Sequence, residues 1–201
     1  MTCGQKTFRE KLGEILMNKE LAAKVENAKA IIAEAVGRFG LSAIYGGTSG
    51  GKDSVCVRHL FEQENGPNSI EWVHNAKGYP DTHPYTVNLL YAMAVQGQDV
   101  NFVHRSHMED HVDRCGYKAQ IDGSRRAEYD RTVKCTTVMV DGQDINRKDM
   151  PPVLENSMFG LTFVYPIYDW TDQDVFDYLE SQGIYLTPEY TGEHNLIKVF
   201  S

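Results

Sequence analysis

The 201-residue chain is 41% hydrophobic and carries a formal net charge of −8, enough length to bury one core of ordinary size. That acidic balance disfavours non-specific binding to a nucleic acid backbone and directs attention to a small-molecule substrate. No run reaches the roughly eighteen apolar residues of a membrane span, the start Met1-Thr2-Cys3-Gly4-Gln5-Lys6 lacks the apolar core of a signal peptide, and Cys3, Cys56, Cys115 and Cys135 follow no C-x-x-C spacing, so a cytoplasmic protein with reduced thiols and no membrane partner is expected.

From Phe8 to Phe39 the composition is helical, with Val25, Ala28, Ile32, Ala35, Val36 and Phe39 at three- and four-residue spacing until Gly40. Residues 1–40 are therefore read as an N-terminal helical extension, and 41–201 as one domain. Leu41 to Tyr45 reads as a buried strand, Asp53 to Glu64 as a helix with Val57, Leu60 and Phe61 inward, and Asn65-Gly66-Pro67-Asn68 as a turn before a second strand, Ile70 to His74. Pro84 suits the first turn of another helix, capped by Asp81 or Thr82, with Val87, Leu90, Tyr91 and Ala94 inward until Gly97. Val100 to His104, Tyr117 to Asp122 and Phe163 to Ile167 read as further strands. The polar segment before the last of these holds Asp141-Gly142-Gln143-Asp144 and the break Pro151-Pro152; it is expected to be a mobile substrate loop with a short strand at Thr136 to Val140. Thr171-Asp172-Gln173-Asp174 resembles a capping box with aspartate in the reciprocal place, opening a helix with Val175, Tyr178 and Leu179 inward until Gly183. This alternation predicts an α/β fold: a doubly wound, parallel, five-stranded sheet with ligands outside the carboxyl ends of its strands.

At such an end lies Ser49-Gly50-Gly51-Lys52-Asp53-Ser54. Paired glycines let backbone approach an anion, the next helix offers unpaired N–H donors, Lys52 adds a charge, and Ser49 and Ser54 add hydroxyls. The Walker spacing from Gly46 to Lys52 fits until Asp53 replaces the hydroxyl that would hold magnesium, so an ordinary P-loop NTPase is disfavoured. Asp53 reads two ways, as a helix cap or as a ligand for Mg²⁺, directly or through water. Arg125 and Arg126 offer planar forks for phosphate or sulfate, with Glu128 placed to orient one and Arg131 to extend the patch. Asn75 and Gly78 stand where adenine or ribose would rest, while Trp170 and Thr171 read as scaffold. His107, His111 and Cys115, preceded by His104, recur at i, i+4 and i+8 and would share one face of a helix; zinc ligands and solvated or substrate-facing histidines both stay open.

The loop resembles the PP-loop of the N-type ATP pyrophosphatases. Three more segments agree: Asn75-Ala-Lys-Gly-Tyr-Pro-Asp-Thr82, Gly123-Ser-Arg-Arg-Ala-Glu128 and Tyr165-Pro-Ile-Tyr-Asp-Trp-Thr-Asp-Gln-Asp-Val175. Together, over about Leu41 to Tyr190, they resemble the phosphoadenosine phosphosulfate (PAPS) reductase family, which includes the small subunit of ATP-dependent sulfate adenylyltransferases. The resemblance implies a HUP, or adenine nucleotide alpha-hydrolase-like, architecture for 41–201, with ATP or PAPS and Mg²⁺ as ligands. It implies cleavage of ATP to AMP and pyrophosphate through an adenylylated acceptor, with Lys52, Asp53, Arg125 and Arg126 catalytic. Ser49, Gly50, Gly51, Lys52, Asp53, Ser54, Asn75, Gly78, Arg125 and Arg126 would then bind nucleotide, with Asp53 on the metal. One departure matters. The family's reductases attack sulfate with the cysteine of a C-terminal E-C-G-[LI]-H segment, and here Thr191-Gly-Glu-His-Asn195 carries no cysteine. A PAPS or APS reductase would need Cys115 or Cys135 instead, beside Arg114 or Lys134. Three readings stay open: an adenylyl-transferring enzyme, such a reductase, and a non-catalytic nucleotide-binding subunit of a larger complex. The acceptor is unnamed by these residues, and a protein partner or homo-oligomer stays open as well.

Overall fold

The computed structural model describes residues 19–76, 100–129, 137–140, 143–155 and 160–184. Helix α1 (Lys19–Phe39) buries Leu21, Val25, Ala28, Ile32 and Ala35 along one face, as their spacing requires. Gly40 ends it at φ 76°, its amide donating to the Val36 carbonyl at 2.9 Å. The predicted strand at 41–45 starts late. A 3₁₀ turn over Leu41–Ala43 comes first, closed by the Ala43 amide on the Gly40 carbonyl, and only Ile44–Gly47 forms β1. Helix α2 (Lys52–Asn65) follows, with Val57, Leu60 and Phe61 buried, and Gly66 turns the chain at φ 86°.

Strands β2 (Glu71–Ala76) and β3 (Val100–His104) come next, then a 3₁₀ turn, Arg105–His107, and helix α3 (Met108–Cys115), which Gly116 ends in a left-handed conformation. Strand β4 (Ala119–Ile121) and the short helix α4 (Arg126–Tyr129) precede β5 (Thr137–Val140) and β6 (Gln143–Asn146). These last two pair antiparallel, so the expected substrate loop contains a hairpin. Strand β7 (Val153–Leu154) lies just past Pro151-Pro152, β8 (Thr162–Val164) is the last strand, and α5 (Asp172–Ser181) the last described helix.

The main sheet runs β3-β2-β1-β4-β8-β7. Its first five strands are parallel, as predicted, and β7 adds a sixth, antiparallel strand at the edge. An edge tolerates the two prolines that a central strand would not. Neighbouring residues separate into two cores: Ile44 and Trp72 pack with α1, α2 and α5, whereas Tyr45 and Val73 pack with Met108 and Val112 of α3. Helices therefore cover both faces. Helix α1 of the predicted extension shares the first of these cores. The order reverses at β1, whose neighbours are β2 and β4, and a crevice at its carboxyl end is where such sheets bind ligands. Among the described residues no helix is long and apolar enough to cross a membrane. The predicted helix after Pro84, together with Gly78, Arg131, Cys3 and Cys135, lies outside the described residues.

Candidate functional site

Beyond β1 the chain turns through a compact loop braced by its own side chains. Thr48 donates its amide to the Val73 carbonyl at 2.9 Å, and His74 Nδ1 lies 2.8 Å from the Thr48 carbonyl oxygen that accepts from it. Gly50, at φ 72°, adopts a conformation that side chains resist, and its amide donates to Thr48 Oγ1 at 3.3 Å. The Gly51 amide donates to Ser49 Oγ at 3.2 Å, and Ser54 Oγ donates back to the Gly51 carbonyl at 2.9 Å. Gly51 is the N-cap of α2 and supplies no side-chain acceptor. The amides of Lys52, Asp53 and Ser54 thus open the helix without intrahelical partners, at the positive end of its dipole. Gly46, which matched the Walker spacing, answers to a different need: a Cβ there would come 2.2 Å from the Trp72 ring.

Beneath the loop lies a cluster of buried charges. Lys52 is 1% and Arg125 0% exposed. Lys52 Nζ reaches Asp53 Oδ2 at 2.7 Å and Asp172 Oδ1 at 3.1 Å. Arg125 donates from Nη2 to the same Asp172 oxygen at 2.6 Å and from Nη1 to the Trp170 carbonyl at 3.2 Å, while its Nε stands 2.7 Å from Asp53 Oδ1. That last contact lacks hydrogen-bond geometry, so the two atoms are held by charge alone. Glu128 accepts from the Arg125 backbone amide at 3.3 Å and approaches its guanidinium at 4.0 Å. Three segments meet here: the start of α2, the turn between β4 and α4, and the start of α5. Gly123 makes the meeting feasible, since a Cβ on it would lie 2.6 Å from the Asp53 carbonyl carbon.

The charges tune one another. Burial pushes the Asp172 carboxyl up, but hydrogen bonding and charge from Lys52, then from Arg125, bring it well below the usual carboxylate range. Glu128 moves the other way, raised by burial and by the neighbouring Asp53. Burial works to lower the Arg125 value, yet Asp53, Asp172 and Glu128 together raise it. Asp53 is not the cap of α2 but a residue of its first turn, and both of its oxygens face cations. The residues present do not fit Mg²⁺: a divalent ion on Asp53 would have to share its carboxylate with Lys52 and Arg125, two buried cations.

The two arginines diverge. Arg126 turns outward, 46% exposed at its side chain, paired with Asp169 at 2.9 Å and with its guanidinium 5.1 Å from the Tyr168 ring centre. Asn75 is exposed near the carboxyl end of β2. Trp170 is buried, and Thr171 caps α5 in a complete capping box with Asp174. The zinc pattern rearranges too: His107 is the N-cap residue of α3 with its ring near that of His104, and the third group beside His111 and Cys115 is Glu71. Sequence reasoning did not single out Asp172 for the loop. Its one signal was its place in the Asp-Trp-Thr-Asp run, where a helix cap explained the pattern.

The family model described as phosphoadenosine phosphosulfate reductase domain matches residues 44–194. No curated protein matches the chain. Among solved structures, PAPS reductase from Candida auris in a phosphate complex is 12% identical with a TM-score of 0.53, over 87% of this chain and 91% of that one. Candida glabrata FMN adenylyltransferase in complex with ATP is 13% identical with a TM-score of 0.60, over 85% of this chain and 61% of that one. The same enzyme with FAD and inorganic pyrophosphate is 11% identical with a TM-score of 0.59, over 85% and 65%. At such identities the likeness establishes the fold.

Proposed function

The chain belongs to the phosphoadenosine phosphosulfate reductase domain family, and from that premise we propose that it binds ATP against the loop at 49–54 and, in the cytoplasm, cleaves it between the α- and β-phosphates. An acceptor oxygen attacks the α-phosphorus and forms a new P–O bond. The bond from that phosphorus to the bridging oxygen breaks, and pyrophosphate leaves with the electron pair. A second nucleophile, water in the simplest case, then forms a bond to the adenylylated acceptor atom, the bond from that atom to the bridging oxygen breaks, and AMP leaves with the electron pair.

The observation that carries this reading is the pair of buried cations, Lys52 and Arg125, beneath a glycine-rich turn where the strand order reverses. Their charge is balanced by Asp53 and Asp172. A polyphosphate entering the loop would meet the α2 amides first, and its oxygens would take the place of the Asp172 carboxylate on Lys52. Preorganised donors of this kind stabilise charge as it develops on leaving pyrophosphate. Ser49 and Ser54 are assigned to the phosphates, Asn75 and Gly78 to the adenosine half, and Arg126 to the outer rim. The likeness to an adenylyltransferase crystallised with ATP, and separately with inorganic pyrophosphate, supports α-phosphate chemistry.

The family name favours a reductase as the second reading, but the described thiols serve it poorly. Cys56 is fully buried, with its thiol pushed up by burial, and Cys115 sits on the helix that leads into the amino end of β4, away from the loop. Chromatography of nucleotides and phosphates after incubation with ATP tests the proposal. AMP with pyrophosphate is the expected pair; ADP with orthophosphate would overturn it, and sulfite formed from PAPS would favour the reductase.

A further inference from the structure

At the amino end of the sheet, three groups that no phosphate chemistry uses converge from two elements. Glu71 opens β2, while His111 and Cys115 lie one turn apart on α3. His111 Nε2 is 3.0 Å from Glu71 Oε2, Cys115 Sγ is 3.9 Å from His111 Nδ1, and one ligand atom of each residue lies within 4.8 Å of the others. The carboxylate is held in place from behind. Tyr117 donates its hydroxyl to Glu71 Oε2 and Asn101 donates to Oε1 at 2.8 Å. His111 is 4% exposed, whereas Cys115 faces solvent.

We propose that Glu71, His111 and Cys115 form a site for a zinc-class divalent cation, with a fourth position open to water. The donor set selects the metal: a thiolate and an imidazole disfavour Mg²⁺ and Ca²⁺, and three protein ligands with one open place are a habitual zinc arrangement. The distances suit it. Ligand atoms about 2.0–2.1 Å from a tetrahedral ion lie about 3.3 Å from one another, close to the present nitrogen–oxygen separation. The longer gaps, within 4.8 Å, are left to Cys115 to close, the last residue of α3 and exposed. The carboxyl end of a helix also favours a cation. Tyr117 and Asn101 are the outer groups that would orient the carboxylate on the metal.

Binding exchanges protons for metal. The ion takes the place of the thiol proton of Cys115, which is released to solvent. His111 offers Nε2 to the ion, with its ring proton on Nδ1. Arg114, whose Nη2 now stands 3.3 Å from His111 Nδ1, must turn aside, and as an exposed side chain it is free to do so. The sequence pattern at 107, 111 and 115 anticipated two of the three ligands. The third comes from 40 residues upstream of His111.

Cobalt tests the assignment in the full chain, because a Co²⁺ thiolate absorbs in the near ultraviolet and tetrahedral Co²⁺ absorbs strongly in the visible. Titration of the purified protein with Co²⁺ is expected to give both bands at one ion per chain, and Zn²⁺ to abolish them. Cys115→Ser, an exposed change that leaves the fold intact, removes the near-ultraviolet band, while a variant with Cys3, Cys56 and Cys135 all changed to serine retains it. Tyr117→Phe, which removes a donor to Glu71, weakens Co²⁺ binding about tenfold. No thiolate band in the unaltered chain, or a band that survives in Cys115→Ser, overturns the site. The experiment does not depend on the nucleotide reading.

Discussion

At the carboxyl end of the sheet Lys52 and Arg125 are buried with Asp53 and Asp172 against them, whereas at the amino end Cys115 faces solvent beside a buried His111 and a partly buried Glu71. Both clusters gather chemistry-bearing residues from distant segments. They differ in what a ligand must do to enter. Under the loop every buried charge already has a partner, so an anion must displace a carboxylate to reach a cation. At the amino end an ion can arrive through the exposed thiol, and it takes the place of the one hydrogen bond that joins His111 to Glu71. Buried charges of both signs make a preformed but contested site; one exposed ligand makes an accessible one.

Removing Arg125 should break the comparison most. Arg125→Ala takes a fully buried cation from between Asp53 and Asp172, and the expected loss of stability is about 3 kcal/mol in urea unfolding, the low end for a severed buried pair because Lys52 still faces both carboxylates. Arg126→Ala, on the exposed side, should cost less than about 1 kcal/mol. Equal losses would mean that burial does not separate the two arginines.

Lys52→Ala should weaken ATP binding by about 1.5–3 kcal/mol in equilibrium dialysis, the worth of a charge-assisted hydrogen bond. Asp172→Asn has the opposite expected sign. It keeps the shape but removes the competing charge, so ATP should bind tighter, and unchanged affinity would show that the carboxylate does not contest the site. Gly123→Ala drives a methyl against the Asp53 backbone and should cost about 1–3 kcal/mol of stability, since the obstacle is main chain rather than a flexible tip.

The smallest effect is one of acidity. Because the Asp172 carboxyl is lowered in the folded chain, its contribution to stability is complete above the ordinary value of 3.8 and is lost as pH falls below it. The urea midpoint of the parent chain should therefore drop more steeply below about pH 4 than that of Asp172→Asn. Parallel profiles would remove Asp172 from the cluster's electrostatics.

Much of the fold was legible because its signals are local. Apolar residues three and four apart marked α1 and α2, Gly40 and Gly66 marked their limits, and Thr171 with Asp174 marked the start of α5. The misreadings also had local causes. Apolar Leu41 and Ala43 looked like strand but lie in a turn that Gly40 begins, and the polarity around Asp141-Gly142 concealed a hairpin. The loop at 49–54 was visible for the same reason as the helices, since paired glycines, a lysine and two serines between a strand and a helix have few other uses.

What the amino-acid order determined by itself was the five parallel strands, helices α1, α2 and α5, the loop and the family, because these depend on spacing and backbone freedom within a few residues. Which charges meet was decided only when the chain folded. Arg125 reaches Asp172 across 47 positions, and Glu71 displaced His107 from the side of His111 across 40. Neighbours in sequence parted in the same way, with Arg125 inward and Arg126 outward. The reason is physical: a buried charge is tolerable only beside its opposite, and the partner that reaches it is chosen by the packing of strands and helices, not by distance along the chain.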